Sequence, residues 1–216
     1  MCDTFFSMTL FLIAGMPVFF IALLNMFFSG SFYGREILAP LGIGGLWFFP
    51  FCLIYALFSD LVPVVYGGGQ FYLSRTFIDL AVPLVFCLLT CLVTCRSQRA
   101  DGKELFLRVA AFLTGFFTLF AQYVCIIFPE WYAEYIFFLL PLLWMSLSAF
   151  SGLLVSLFFS GFRIFRFLFL ILLGVLPFCM GAVPWLYAMN YRPLAWLVTL
   201  LFFAGSLVAV WKVPLR

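Results

Sequence analysis

The sequence has 216 residues, of which 67% are hydrophobic and 22% aromatic, while only 9% are charged. Soluble domains are about half apolar and about a quarter charged, so an aqueous fold would leave much of this apolar surface exposed. The composition therefore excludes an ordinary soluble protein. Long uncharged stretches separate the charged residues. Because a helix of about 20 such residues spans the hydrocarbon core of a bilayer, we predict an all-α integral membrane protein.

The uncharged stretches predict a polytopic bundle of about seven transmembrane helices, which forms a single domain over 1–216. The predicted spans cover 5–28, 37–58, 77–95, 107–128, 136–159, 167–189 and 194–212. The first span is not preceded by the basic residues that introduce the apolar part of a cleavable signal peptide. We therefore expect this first helix to be retained in the mature protein.

The segment at 59–76, between the second and third predicted spans, has a different character. Its apolar part, 61–73, would reach only about 20 Å as a helix, which is short of a hydrocarbon core about 30 Å thick. Pro63 and the glycine triplet that begins at Gly67 also disfavour a helix. We therefore expect an irregular or re-entrant segment, whose backbone needs protein or water around it rather than lipid.

The basic residues predict the orientation of the bundle. Cytoplasmic loops carry an excess of Lys and Arg, and this rule is met when the N-terminus lies outside and the C-terminus is cytoplasmic. The basic residues then placed in the cytoplasm are Arg35, Arg96, Arg99, Lys103, Arg108, Arg163, Arg166, Lys212 and Arg216. Only Arg75 and Arg192 fall on the outer side. We expect a multi-pass protein of the cell membrane, either a plasma or an inner membrane.

The loop at 96–108 holds the densest group of basic residues. Anionic lipid headgroups on the cytoplasmic side attract such groups, so we expect this loop to contact them, or to dock a cytoplasmic partner. The net charge is only +3, and the sequence offers no domain outside the bilayer that could carry a nucleic-acid site. The expected partners are therefore the lipid bilayer and its headgroups, and not nucleic acid.

The fifth predicted helix has small residues at a strict spacing of four, which places them along one stripe of its surface. These residues are Ser148, Gly152, Ser156 and Ser160. Small residues let two backbones approach closely, which is how helices associate in lipid. The stripe predicts a helix-packing face within the chain. The alternatives are a homo-oligomer or partner-subunit interface and a polar pathway lined by hydroxyl groups.

Several kinds of chemistry are excluded by the absence of histidine. Ser-His and Cys-His catalysis, His-ligated haem and the usual zinc sites all require an imidazole. Cys87, Cys91 and Cys95 recur every four residues, a spacing that differs from the CxxC pattern of thiolate metal sites. We interpret them as small apolar packing residues. We expect no catalytic residue, no metal and no cofactor.

Three polar amide side chains lie within or at the end of predicted spans. Asn25 and Gln122 are predicted at membrane depth, and Asn190 closes the sixth span. An amide that faces lipid has no hydrogen-bond partner there, so we expect all three to face the interior of the bundle.

Another group of polar residues surrounds the irregular segment on the predicted outer side. It consists of Asp60, Gln70, Arg75 and Asp79. Arg75 and Asp79 are four residues apart and can pair along one helical face. One interpretation is an interfacial salt bridge that holds the loop. The other is a vestibule or gate that contacts a polar solute or a cation, because ionisable groups near membrane depth often mark a pathway.

These features favour a small-solute permease, or the membrane subunit of a transporter, over an enzyme. The alternative is a non-catalytic structural or assembly subunit of a larger membrane protein complex. A lipid-modifying membrane enzyme ranks third, because it would have to use carboxylates such as Glu130 and Glu134 without an imidazole. The spacing of these carboxylates matches no catalytic motif.

Overall fold

A computed structural model describes residues 14–19, 34–61, 68–95, 102–127, 136–160 and 163–212. Residues 14–19 are helical, and no strand occurs within these described ranges. The remaining helices are α1 (Gly34–Leu61), α2 (Gly68–Thr76), α3 (Val82–Cys95), α4 (Gly102–Ile127), α5 (Ile136–Ser160), α6 (Arg163–Ala188) and α7 (Arg192–Lys212). A π-helical turn, Phe77–Ala81, joins α2 to α3 without a break.

Within the described ranges, five helices are long and apolar enough to cross a membrane. They are Ile37–Leu57, Tyr72–Thr94, Glu104–Val124, Leu139–Phe159 and Phe165–Ala188. These five correspond to the second to sixth predicted spans. α7 contains a shorter apolar stretch, Arg192–Val208. Most of the first predicted span, 5–28, lies outside the described residues, so the count of seven spans and the orientation stay predictions.

The structure differs from the irregular segment that the sequence predicts at 59–76. α1 continues to Leu61, and α2 is helical from Gly68 onward. Glycine disfavours a helix interior, whereas Gly68 and Gly69 occupy the first turn of α2. Packing of α2 against α6 then stabilises the helix beyond its intrinsic propensity. Residues 62–67 lie outside the described ranges. The re-entrant interpretation of this part of the chain therefore stays a prediction.

The helix α4 is the most buried of the candidate spans and packs against α1, α3 and α5. Its contact with α1 is a backbone contact. A Cβ atom on Gly44 would collide with the carbonyl oxygen of Phe112, and one on Gly115 would collide with the carbonyl oxygen of Leu41. The two glycines therefore allow α1 and α4 to cross closer than any side chain would permit.

Aromatic rings fill the space between α1, α3 and α4 beyond this crossing. The ring centroid of Phe51 lies 5.0 Å from that of Phe86, 5.2 Å from that of Phe116 and 5.6 Å from that of Phe120. Most of these pairs meet edge to face or tilted, which the quadrupoles of the rings favour. Tyr55 ends the cluster, with its ring centroid 5.2 Å from that of Phe120.

The helix α5 packs on α4 through its small residues. A Cβ atom on Gly152 would lie 3.0 Å from the Cβ of Ala110, and the hydroxyl of Ser156 donates to the carbonyl oxygen of Gly102 at 2.5 Å. The order of these contacts makes α4 and α5 antiparallel. The predicted stripe therefore meets α4 of the same chain at Gly152 and Ser156. The side chain of Ser160 lies outside the described residues.

A short turn joins α6 to α7. Tyr191 N–H donates to the carbonyl of Leu186 at 2.9 Å, and Asn190 N–H donates to that of Tyr187 at 3.0 Å. This is the Schellman pattern that closes helix C-termini. Asn190 has a φ of 64°, and asparagine accepts this left-handed conformation more readily than most residues. The side chain is exposed, so the prediction that Asn190 faces the bundle is wrong: the residue caps the helix.

Candidate functional site

The π-helical turn Phe77–Ala81 lies within the candidate span Tyr72–Thr94 and has Asp79 at its centre. Pro83 explains its position, because proline has no N–H to donate to the carbonyl of Asp79, four residues earlier, and its ring would clash with that carbonyl. The chain widens here, and the N–H of Val82 donates to the carbonyl of Phe77, five residues earlier. Such π turns occur often at functional sites.

The carboxylate of Asp79 is half-buried and points toward α1. The phenolic O–H of Tyr55 donates to Oδ1 of Asp79 over 2.8 Å, and Tyr55 itself is buried at the end of the aromatic cluster. A carboxylate within an apolar span is costly unless it finds hydrogen-bond donors or reaches water. The fold therefore supplies at least one donor for a charged group at this depth.

The helix α2 is held beside this turn by contacts with α6. The hydroxyl of Tyr72 donates to the backbone carbonyl of Phe178, and the ring of Tyr72 meets that of Trp185 edge to face at 6.0 Å. One turn along α2, the side chain of Thr76 occupies the place that a Cβ on Gly181 would need. These contacts place α6 against the turn that carries Asp79.

The four residues of the predicted outer cluster have different positions in the structure. Gln70 is exposed in the first turn of α2, and Asp79 is half-buried against Tyr55. Asp60 lies in the last turn of α1 and Arg75 in the last turn of α2. The side chains of Asp60 and Arg75 lie outside the described parts of the chain, so the predicted Arg75 to Asp79 pair stays a prediction.

The other predicted polar positions add little to this site. Gln122 is half-buried in α4. Asn25 and the loop residues 96–101 lie outside the described ranges. At the start of α4, the guanidinium of Arg108 forms an ion pair with Glu104, one helical turn earlier. This pairing uses part of the positive charge of the predicted headgroup-binding loop, and contact of that loop with lipid stays a prediction.

In the described part of the chain, no three His, Cys, Asp or Glu side chains come close enough together to hold a metal ion. Cys87 and Cys91 are buried in α3, whereas Cys52 is half-buried in α1 and Cys179 is exposed on α6. The chemistry available at Asp79 includes that of its carboxylate, which accepts a hydrogen bond from Tyr55. It can attract a cation, accept hydrogen bonds from a polar solute or bind a proton.

Sequence reasoning identified Asp79 but missed Tyr55 as its partner. Tyr55 lies 24 residues before Asp79 and looks like any other aromatic residue of an apolar helix. A signal for the π turn is present in the sequence, because Pro83 follows Asp79 by four residues inside an uninterrupted apolar run. A proline at that spacing predicts a local change in the hydrogen bonding of the helix.

Comparisons with known proteins add no functional assignment to this geometry. No protein-family model matches the chain, and neither a curated protein nor a solved structure matches it.

Proposed function

We propose that the chain is a small-solute permease, or the membrane subunit of one, and that Asp79 faces its polar pathway. The observation that carries this proposal is the half-buried carboxylate of Asp79 at a π turn within an apolar span. An intramembrane ionisable residue is more costly than the neutral residue that could replace it, and such residues commonly lie on substrate, ion or proton pathways.

The surroundings of Asp79 support a role in binding rather than in packing alone. The π turn departs from regular helical hydrogen bonding, and irregular backbone at membrane depth usually borders protein or a water-filled cavity. The hydrogen bond from Tyr55 fixes one carboxylate oxygen from the side of the aromatic cluster. A polar solute, a cation or a proton would then interact with the same carboxylate.

The proline residues of α6 fit the same proposal. Pro177 and Pro184 lie within α6, on either side of Gly181, which contacts Thr76 next to the π turn. Each proline removes a backbone hydrogen bond and tends to kink the helix. A kinked helix beside a widened one is the kind of arrangement that transporters use at their binding sites.

The alternative is a structural subunit of a larger membrane complex, and the broad exposed face of α1 favours it. This face includes Leu46, Phe49, Leu53 and Leu57, which are all large, apolar and exposed in the isolated chain. A partner helix could pack on this face in place of lipid. Purification in a mild detergent separates a permease that acts alone from a subunit of a complex: a second protein at a fixed ratio would exclude the permease that acts alone.

The test of the permease function is uptake by proteoliposomes. Purified protein would be reconstituted, and entry of radiolabelled amino acids, amines, sugars and simple cations would be measured with and without a proton gradient. The proposal predicts uptake of at least one compound above that of empty liposomes, and loss of this uptake in Asp79→Asn.

The matched control is Glu104→Gln, which makes the same carboxylate-to-amide change in the ion pair with Arg108 at the start of α4. This variant should keep its uptake. If Asp79→Asn transports at the parent rate while both variants remain monodisperse, Asp79 does not belong to the pathway. If no compound enters and no second protein co-purifies at a fixed ratio, the permease proposal itself fails.

A further inference from the structure

Two side chains of α2 join this helix to α6 beside the π turn. The hydroxyl of Tyr72 donates to the carbonyl of Phe178, and the ring of Tyr72 meets that of Trp185 at a centroid distance of 6.0 Å. Thr76 fills the space beside Gly181. We call these five residues the α2–α6 latch. Thr76 is 2% exposed, so the latch is closed in this structure.

The helix α6 can bend where the latch holds it. Pro177 and Pro184 have no N–H to donate to the carbonyls of Leu173 and Met180, each four residues earlier. Helices kink at such positions, because the missing hydrogen bond no longer holds successive turns together. Gly181 lies between the two prolines. A bend within this segment would carry α6 away from α2 and open the latch.

The closed latch leaves a polar group of α6 unsatisfied. The indole N–H of Trp185 is buried and has no hydrogen-bond partner in the part of the chain that the structure describes. A buried donor without a partner costs free energy, which is recovered when water reaches it. Opening would also transfer the hydroxyl of Tyr72 from the carbonyl of Phe178 to water. Because both donors can bond to water, opening costs little hydrogen-bonding energy.

The π turn packs between α1 and α6, and its α1 side is closed more firmly. On that side the carboxylate of Asp79 meets the hydroxyl of Tyr55, and the buried rings of Phe51 and Phe120 lie behind Tyr55. α1 itself is held on α4 by a backbone contact at Gly44, which cannot yield. Of these two neighbours of the turn, α6 is therefore the one that can move.

We propose that opening of the α2–α6 latch admits water, and with it the transported compound, to Asp79. Because Asp79 lies within a candidate span, water must reach it between helices rather than through lipid. This inference rests on the proposed function, since it names the moving part that controls access to the same site. The closed state is the one described above, and removal of a latch contact should increase the open population.

The experiment measures how fast Asp79→Cys, in a protein whose native cysteines are replaced, reacts with a membrane-impermeant methanethiosulfonate reagent applied to both sides of liposomes. Tyr72→Phe removes the hydrogen bond of the latch. The matched control Ser156→Ala removes the same kind of bond, from a hydroxyl to a backbone carbonyl, between α5 and α4. We expect modification to be about threefold faster with Tyr72→Phe and unchanged with Ser156→Ala. Tyr72→Ala, which also removes the ring, should be faster still.

A second thiol reports whether a substitution unfolds the turn instead of opening the latch. Ile78→Cys, at a position that is 1% exposed, should stay unmodified in every background. Modification of Ile78→Cys at the rate of Asp79→Cys would overturn the proposal. So would equal rates for Asp79→Cys with Tyr72 and with Tyr72→Phe, or equal acceleration by Ser156→Ala.

Failure of the latch and failure of the proposed function give different results. If Asp79→Cys is modified at the same rate in all backgrounds, the latch is wrong and the pathway stands. If Asp79→Cys resists the reagent in all backgrounds, the latch and the pathway are both wrong. If Tyr72→Phe accelerates modification but no compound enters proteoliposomes, the latch is supported and the result counts against the permease function alone.

Discussion

The crossing of α1 with α4 and the contact of α2 with α6 hold helices together in different ways. At the first, Gly44 and Gly115 let two backbones touch, and aromatic rings continue the contact. At the second, the hydroxyl of Tyr72 reaches a backbone carbonyl of α6, and Thr76 fits against Gly181. The first contact is almost purely steric, and the second combines steric fit with polar groups.

The difference follows from the bilayer as a solvent. Lipid is as apolar as leucine, so helices associate through close packing and hydrogen bonds rather than through the hydrophobic effect. Close packing is rigid, because two backbones cannot yield, whereas a side-chain hydrogen bond can break and re-form. We therefore expect the α1 and α4 crossing to serve as the fixed part of the bundle. The polar contacts around Asp79 form the part that can adjust to a ligand.

The largest effect is expected at Gly115, where the added methyl group of Gly115→Ala meets a backbone oxygen that cannot move aside. α1 and α4 must separate, and the free energy of unfolding should fall by about 3 kcal/mol. Unfolding by sodium dodecyl sulfate in mixed micelles measures this change.

The control for this substitution is Gly42→Ala on α1, because a Cβ there has no neighbour within 4 Å. Its stability should stay within about 0.5 kcal/mol of the parent. A loss at Gly42 as large as that at Gly115 would mean that the crossing does not depend on backbone contact at glycine.

A smaller loss is expected for Gly181→Ala, because the obstacle is the side chain of Thr76 rather than a backbone. A reduction of about 2 kcal/mol is expected in the same unfolding assay. Thr76→Ala removes two of the three colliding atoms, Oγ1 and Cγ2, so the double variant should recover part of the loss. If the two losses simply add, α2 and α6 are not in contact at this point.

The hydrogen bond between Tyr55 and Asp79 should be weaker still. A double-mutant cycle with Tyr55→Phe and Asp79→Asn is expected to give a coupling energy of about 1 kcal/mol, in the upper part of the range measured for hydrogen bonds between membrane helices. A coupling energy of zero would show that the two side chains do not interact.

The smallest effect is expected for Tyr72→Phe, which removes the hydroxyl that bonds to the carbonyl of Phe178 but leaves the ring against Trp185. We expect a loss of about 0.6 kcal/mol in the free energy of unfolding. Tyr72→Ala removes the ring as well and should be clearly less stable than Tyr72→Phe. Equal stability of the two variants would mean that the ring contact contributes nothing.

Much of the helical architecture could be predicted because charged residues bracket long apolar runs. The predicted spans 136–159 and 194–212 differ from α5 and α7 by only a residue or two at their ends. The start of the third membrane helix was wrong, because intrinsic propensity counts glycine against a helix and cannot include the packing of Tyr72 and Thr76 on α6. The crossing glycines lie on different helices, and no local pattern joins them.

The candidate site could be predicted only in part. Asp79 stands out in the sequence as an acidic residue in an apolar run, and this alone predicts a polar partner. The identity of that partner could not be predicted, because it depends on how α1 packs against the π-helical turn.

The central claim is that Asp79 lies on a polar pathway, and its accessibility tests this most directly. All seven native cysteines would be replaced, and Asp79→Cys and the buried neighbour Ile78→Cys introduced separately. Proteoliposomes would then be treated with a membrane-impermeant methanethiosulfonate reagent. We predict rapid modification of Asp79→Cys and none of Ile78→Cys. If both thiols resist the reagent applied from either side of the membrane, Asp79 is a packed structural residue and the account is contradicted.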